Sequence, residues 1–167
     1  MSWCRILKSM VVTTLLSLSS VSIAKENTLN DILSLTEAPE GVVIEIVTGD
    51  TTGLDWALPQ SQDYIKQIRQ RFKDLPISIV THGNEQFALT KSNQAASKNE
   101  HKTVRSLIKD SKIPLHVCGT FAGWRGLSDE DFPDYVDVAA SGPAQINDYI
   151  AVGYLLLVIR SDNAVFD

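Results

Sequence analysis

Cysteine is nearly absent from this chain: among 167 residues only Cys4 and Cys118 carry a thiol. Histidine is almost as scarce, and His82, His101 and His116 lie far apart without the short ligand spacing of a local metal site. Neither a metal nor any other cofactor is therefore expected. No run of basic residues occurs and the formal charge is -5, which argues against nucleic acid and anionic membrane as partners. The loop Gly49-Asp50-Thr51-Thr52-Gly53 lacks both the lysine of a phosphate-binding loop and the glycine spacing of a dinucleotide loop. Asp50 reads there as a turn or cap residue rather than a catalytic acid. Internal repeats and low-complexity segments are also missing.

No apolar run reaches the roughly 20 residues that a helix needs to cross a bilayer. The longest candidate, Met10 to Ala24, is interrupted by serines and threonines. It follows Arg5 and Lys8 and ends in Ser22-Ile23-Ala24, with small side chains where a signal peptidase reads them. That order is the grammar of a secretory signal. Residues 1–24 are expected to be a removable signal peptide, residues 25–40 a polar lead-in, and residues 41–167 one α/β domain. Cleavage takes away Arg5 and Lys8, shifts the charge from -5 to -7 and leaves no stable membrane anchor. The product is expected to be exported: periplasmic in a Gram-negative bacterium, secreted otherwise.

Cys4 leaves with the signal, so Cys118 stands alone. Exported proteins pair their cysteines or avoid them. A lone thiol there is a buried small residue, a link to another chain, or a reactive group.

The mature chain alternates short β-rich runs with helical stretches. Strands are expected at Val42–Thr48, Ile77–Thr81, Pro114–Cys118, Val136–Ala139 and Tyr154–Ile159, several of them closed by glycine. One helical turn is expected in the lead-in around Ile32 and Leu35. Tyr64, Ile65, Ile68 and Phe72 form a helical stripe with Pro59 in its first turn. Val104, Leu107 and Ile108 mark a second helix. Ser141-Gly142-Pro143 opens a third, which carries Ile146, Tyr149 and Ile150 and closes at Gly153. Ser128 and Asp131 cap a very short helix. Five strands alternating with helices predict a mainly parallel five-stranded sheet covered on both faces. Ligands of such sheets bind at the carboxyl ends of the strands, where both His82 and Cys118 fall.

The segment after the third long strand reads Leu115-His116-Val117-Cys118-Gly119-Thr120-Phe121-Ala122-Gly123-Trp124-Arg125. A thiol reacts as thiolate, which nearby backbone N–H groups and cations favour. Gly119 and Thr120 can supply the first and Arg125 the second, so a partly accessible, reactive Cys118 is expected. His116 shares its strand face but lies about 6.6 Å along the strand, which suits a packed histidine better than a base. A phosphatase loop would place five residues between cysteine and arginine; six intervene here.

Taken in order, Ile46-Val47-Thr48-Gly49 with Gly53, His82-Gly83, Leu115-x-Val117-Cys118 with Arg125-Gly126-Leu127, and Gly153-Tyr154 resemble the DsrE/DsrF-like sulfur-relay family, which includes TusD-type sulfurtransferase subunits. The resemblance spans about Val42 to Ile159. It implies a three-layer flavodoxin-like fold, a homo- or hetero-oligomer, and a thiol or persulfide partner protein. It also implies that Cys118 carries sulfane sulfur as a persulfide, the chemistry of a sulfur carrier or sulfurtransferase. The alternative is a non-catalytic module of the same fold that binds a small ligand or partner in the strand-end crevice. A third reading makes Cys118 a buried core residue and leaves function to oligomer contacts. Protein recovered from an exporting host is expected to begin at Lys25 or within a residue or two of it, and N-terminal sequencing that returns Met1 or Ser2 would refute the leader.

Overall fold

The computed structural model describes residues 25–161. The expected signal peptide, residues 1–24, lies outside the described residues, as do residues 162–167. In chain order the elements are β1 (Glu26–Asn27), α1 (Leu29–Leu33), β2 (Gly41–Val47), α2 (Leu54–Arg71), β3 (Ile77–Thr81), α3 (Lys98–Lys109), β4 (Leu115–Cys118), α4 (Gly119–Trp124), β5 (Asp137–Ala139), α5 (Gly142–Ala151) and β6 (Tyr154–Arg160). Short 3-10 turns occupy Asn84–Leu89, Lys91–Asn93 and Asp129–Asp131.

The strands form one sheet in the order β1-β6-β2-β3-β4-β5, and every pairing is parallel. All five expected strands are present. The sixth, β1, has only two residues, too few to show an alternating pattern. It is held by pairing of Glu26 and Asn27 with Leu156 and Leu157, by Asn27 Nδ2 donating to the Leu156 carbonyl at 3.1 Å, and by the Arg160–Glu26 ion pair at 2.6 Å.

Side chains alternate across the strands, so the sheet has two different faces. Val42, Ile44 and Ile46 of β2, Ile77 and Ile79 of β3, and Leu115 and Val117 of β4 point to one face. There they pack with Leu54, Leu58, Ile65 and Ile68 of α2 and Val104 and Leu107 of α3. Burying each such aliphatic side chain contributes about 1.5–3 kcal/mol, which makes this the main core. The opposite face is narrower. Val43, Val80 and Leu156 meet Ile146 of α5, with Tyr149, Ile150 and Tyr154 packed around them.

Helix boundaries follow local chemistry. Thr28 and Asp31 cap α1 reciprocally, as Ser128 and Asp131 cap the turn after α4. Ser141 Oγ accepts from Ala144 N at 3.5 Å, Pro143 sits in the first turn of α5, and Gly153, at φ 95°, closes the turn into β6. The stripe in α2 begins earlier than expected. Leu54, Ala57 and Leu58 are all buried ahead of Pro59, so Pro59 lies in the helix's second turn rather than its first. Burial of those residues outweighs the one N–H···O bond that proline removes.

Gly41 on β2 lies beside Tyr154 on β6, and the ring covers it. A Cβ at Gly41 would stand 2.5 Å from two ring atoms. Tyr154 is also stacked on Tyr149 with centroids 5.0 Å apart, and burial, then the neighbouring Tyr149, push its phenol above the ordinary value. Gly41→Ala is expected to force the ring aside and cost about 1–3 kcal/mol, measured as a lower urea midpoint with an unchanged slope.

Candidate functional site

Because every strand is parallel, Thr48 after β2, His82 and Gly83 after β3, Cys118 ending β4 and Ala139 ending β5 gather at one edge of the sheet. His82 and Cys118 thus share an edge, as their positions in the sequence predict. The register pairs Val80 with His116 and Thr81 with Val117, which puts His82 and Cys118 on the face covered by α5.

The edge is organised by the segment Asn84–Leu89. Glu85 is completely buried. Its Oε2 accepts from Thr48 N at 2.7 Å and Thr48 Oγ1 at 3.0 Å, and its Oε1 accepts from Gly83 N at 2.8 Å and from the Thr81 hydroxyl. Four donors satisfy a carboxylate that would otherwise be prohibitively costly to bury. The close approach explains Gly83: a Cβ there would lie 2.3 Å from Glu85 Oε2 and 2.4 Å from the Thr48 carbonyl oxygen.

Gln86, also fully buried, holds the cysteine's backbone. Its Oε1 accepts from Cys118 N at 2.7 Å, and its Nε2 donates to the Cys118 carbonyl at 3.4 Å. Cys118 is consequently fixed at both ends of its own residue. It serves as the N-cap of α4, and its Sγ accepts from Phe121 N at 3.5 Å.

Gly142, the first residue of α5, closes the site. A Cβ at this position would lie 2.7 Å from His82 Cβ and 3.3 Å from Cys118 Cβ, so glycine lets the helix settle directly onto both. His82 Nε2 donates to Glu45 Oε1 at 2.6 Å. That bond fixes the orientation of the ring. Cysteine, histidine and glutamate are therefore brought together from β4, the end of β3, and β2. Cys118 is 4% exposed, in contrast to the partly accessible thiol expected from the sequence, because Gly142 and the start of α5 cover it.

The remaining candidates are placed as follows. Thr120 donates from both its N–H and its hydroxyl to the Ala140 carbonyl, at 3.0 and 2.7 Å, so the N–H aimed at sulfur comes from Phe121 instead. Gly119 sits against the Ala139 carbonyl, where a Cβ would approach to 3.1 Å. Arg125 lies at the opposite end of α4 from Cys118, donates to Asn84 Oδ1 at 3.0 Å, and has Phe121 and Phe87 beneath its guanidinium. His116 uses both nitrogens: Nδ1 donates to Asp137 Oδ2 at 2.5 Å, and Nε2 accepts from the Tyr149 hydroxyl at 2.8 Å. Asp50 stands apart in an exposed turn, where the Thr52 N–H and then the Thr52 hydroxyl hold its carboxyl below the usual range. Among the described residues, no three His, Cys, Asp or Glu side chains gather so as to hold a metal ion.

Sequence reasoning passed over Glu45, Glu85, Gln86 and the Phe121 N–H. A signal existed for two of them, since Glu85 and Gln86 follow a strand-end glycine and precede the apolar Phe87-Ala88-Leu89. Glu85→Gln would turn an amide NH₂ toward a site that offers only donors. The expected cost is about 2–4 kcal/mol, read from chemical denaturation, whereas Asp50→Asn in its exposed turn is expected to change stability far less. Equal costs for the two would remove Glu85 from its organising role.

Comparison with solved structures gives one that shares this architecture. A protein of unknown function from Methanobacterium thermoautotrophicum, MTH1491, superposes with a TM-score of 0.52 at 17% identity, over 72% of this chain and 97% of its own. The ychN protein from E. coli gives 0.47 at 12% identity, over 71% and 99% of the two chains. A conserved protein of unknown function from Bacteroides thetaiotaomicron, BT1422, gives 0.48 at 15% identity, over 70% and 93%. No curated protein matches the sequence. The DsrE/DsrF-like family model matches residues 61–159, which include β3, β4, Cys118 and α5, and the chain therefore belongs to the DsrE/DsrF-like family.

Proposed function

We propose that this chain is an exported sulfur carrier, in which Cys118 takes up sulfane sulfur as a persulfide and passes it to the thiol of a partner protein. The observation that carries this reading is the Phe121 N–H directed at Cys118 Sγ, at 3.5 Å, with His82, held by Glu45, packed together with Cys118 against Gly142. An N–H directed at sulfur complements a thiolate and equally the anionic outer sulfur of a persulfide. In this reading His82, packed with Cys118 against Gly142, is assigned a supporting part in activating the thiol.

In the loading step the Cys118 thiolate attacks the outer sulfur of a donor persulfide. A sulfur–sulfur bond forms on Cys118, the donor's own sulfur–sulfur bond breaks, and the donor leaves as a thiolate that takes up the proton. Oxidation state is conserved overall, so no cofactor is required. Transfer onward is the same exchange with the partner's thiolate as nucleophile. Burial of Cys118 restricts loading to slender donors such as polysulfide and shields the bound sulfur from water.

The same burial favours a second reading, a non-catalytic module in which Cys118 only lines a binding crevice. Intact mass after exposure to polysulfide separates the two. A gain of about 32 Da, one sulfur, lost on reduction, is expected for the native protein and absent in Cys118→Ser. His82→Gln is expected to slow loading about tenfold or more near neutral pH. No mass gain with any donor, together with alkylation of native Cys118 no faster than that of a buried thiol, would retire the carrier and leave the binding module.

A further inference from the structure

On the face of the sheet opposite Cys118, between α3 and the 3-10 turns that precede it, lies a cavity of about 670 Å³. Its size falls within the range of small-molecule sites, roughly 300–1,000 Å³. The lining includes Lys91, Lys98, Lys102 and Arg105 and contains no acidic residue. Four cations around one depression are unexpected in a chain whose formal charge is -5.

Their arrangement follows from helix geometry. Lys98, Lys102 and Arg105 recur at the spacing that brings residues onto one face of α3, with His101 between them. Glu100, the acid of that helix's first turn, lines a separate depression with Asp55 and Thr103. The positive end of the twelve-residue α3 lies at the same place, and Ser97 at its N-cap makes no side-chain bond to the first turn. Helix dipole and side chains thus add in sign.

The floor of the cavity is rigid. His101 is 2% exposed. Its Nε2 donates to the Ala88 carbonyl at 3.1 Å and its Nδ1 is hydrogen-bonded to the Tyr135 hydroxyl. Burial, the largest influence, pushes His101 below its ordinary value, so the floor adds no charge of its own. Arg105 is held with its guanidinium 4.6 Å over the Tyr135 ring. Lys91 is tied by its Nζ to the Glu130 carbonyl at 2.7 Å. Arg105 is therefore pre-positioned, which lowers the ordering cost of binding.

We infer that this cavity is a binding site for a compact oxyanion carrying two or more negative charges, of the phosphate or sulfur-oxyanion type, independent of Cys118. Lys98, Lys102 and Arg105 supply the ionic hydrogen bonds, and the His101–Tyr135 floor holds Arg105 in place.

Calorimetric titration of the full chain at low ionic strength tests the site, with inorganic pyrophosphate and thiosulfate as separate probes. Saturable one-site binding is expected for at least one of them, weakening as salt rises. Binding of pyrophosphate alone assigns a phosphate compound, and binding of thiosulfate assigns a sulfur oxyanion. The double variant Lys102→Gln/Arg105→Gln is expected to lose about tenfold or more in affinity, since it removes two of the three cations that bind the anion. Cys118→Ser and Lys66→Gln, the latter an exposed lysine on α2, should bind as the native chain does. Absence of saturable binding by both probes overturns the site, as does unchanged affinity in the double variant. An equal loss in Lys66→Gln would show diffuse charge attraction instead, and a loss in Cys118→Ser would place the anion at the thiol.

Discussion

The carboxylate of Glu85 lies at the middle of the carboxyl edge, where β2, β3 and β4 end side by side. Thr48, Thr81 and Gly83 together direct four donors to it, which offsets the cost of burying the carboxylate. The next residue, Gln86, extends the same brace to the backbone of Cys118. A buried acid and a buried amide, adjacent in sequence, thereby convert three separate strand ends into one rigid platform. Everything proposed for the thiol presupposes that platform, because a nucleophile held through its own N–H and C=O has little freedom except at its side chain.

Glycine does the complementary work from above. α5 can rest on His82 and Cys118 only because Gly142 has no Cβ, and the turn at Gly83 can approach Thr48 and Glu85 only for the same reason. The result is a covered thiol that accepts one N–H, with the histidine of a histidine–glutamate pair packed against the same glycine.

The sheet also separates the two clusters. Cys118, His82 and Glu45 belong to the α5 face, whereas the cluster of lysines and Arg105 belongs to the α3 side. Local spacing on a single helix suffices to build the second cluster. The first requires residues from β2, β3, β4 and α5, separated by as much as a hundred positions.

That contrast marks what was legible in the chain. Apolar β-branched runs closed by glycine announced β2, β3, β4 and β6, and helical stripes announced α2, α3 and α5, because local periodicity reports which face of an element is buried. Strand–helix alternation then made the sheet parallel, and parallel strands put His82 and Cys118 at one edge with no further information. The sequence by itself therefore determined the architecture and the neighbourhood of the thiol. It did not determine β1, whose two residues have no period, or the start of α2, where burial of Leu54, Ala57 and Leu58 overrode the signal of Pro59. Nor could it decide which N–H faces Sγ, that Ala140 would claim Thr120, that Glu45 would stand behind His82, or that Gly142 would bury Cys118. Those are distances between residues remote in the chain, and they exist only once packing has brought the strands and α5 together.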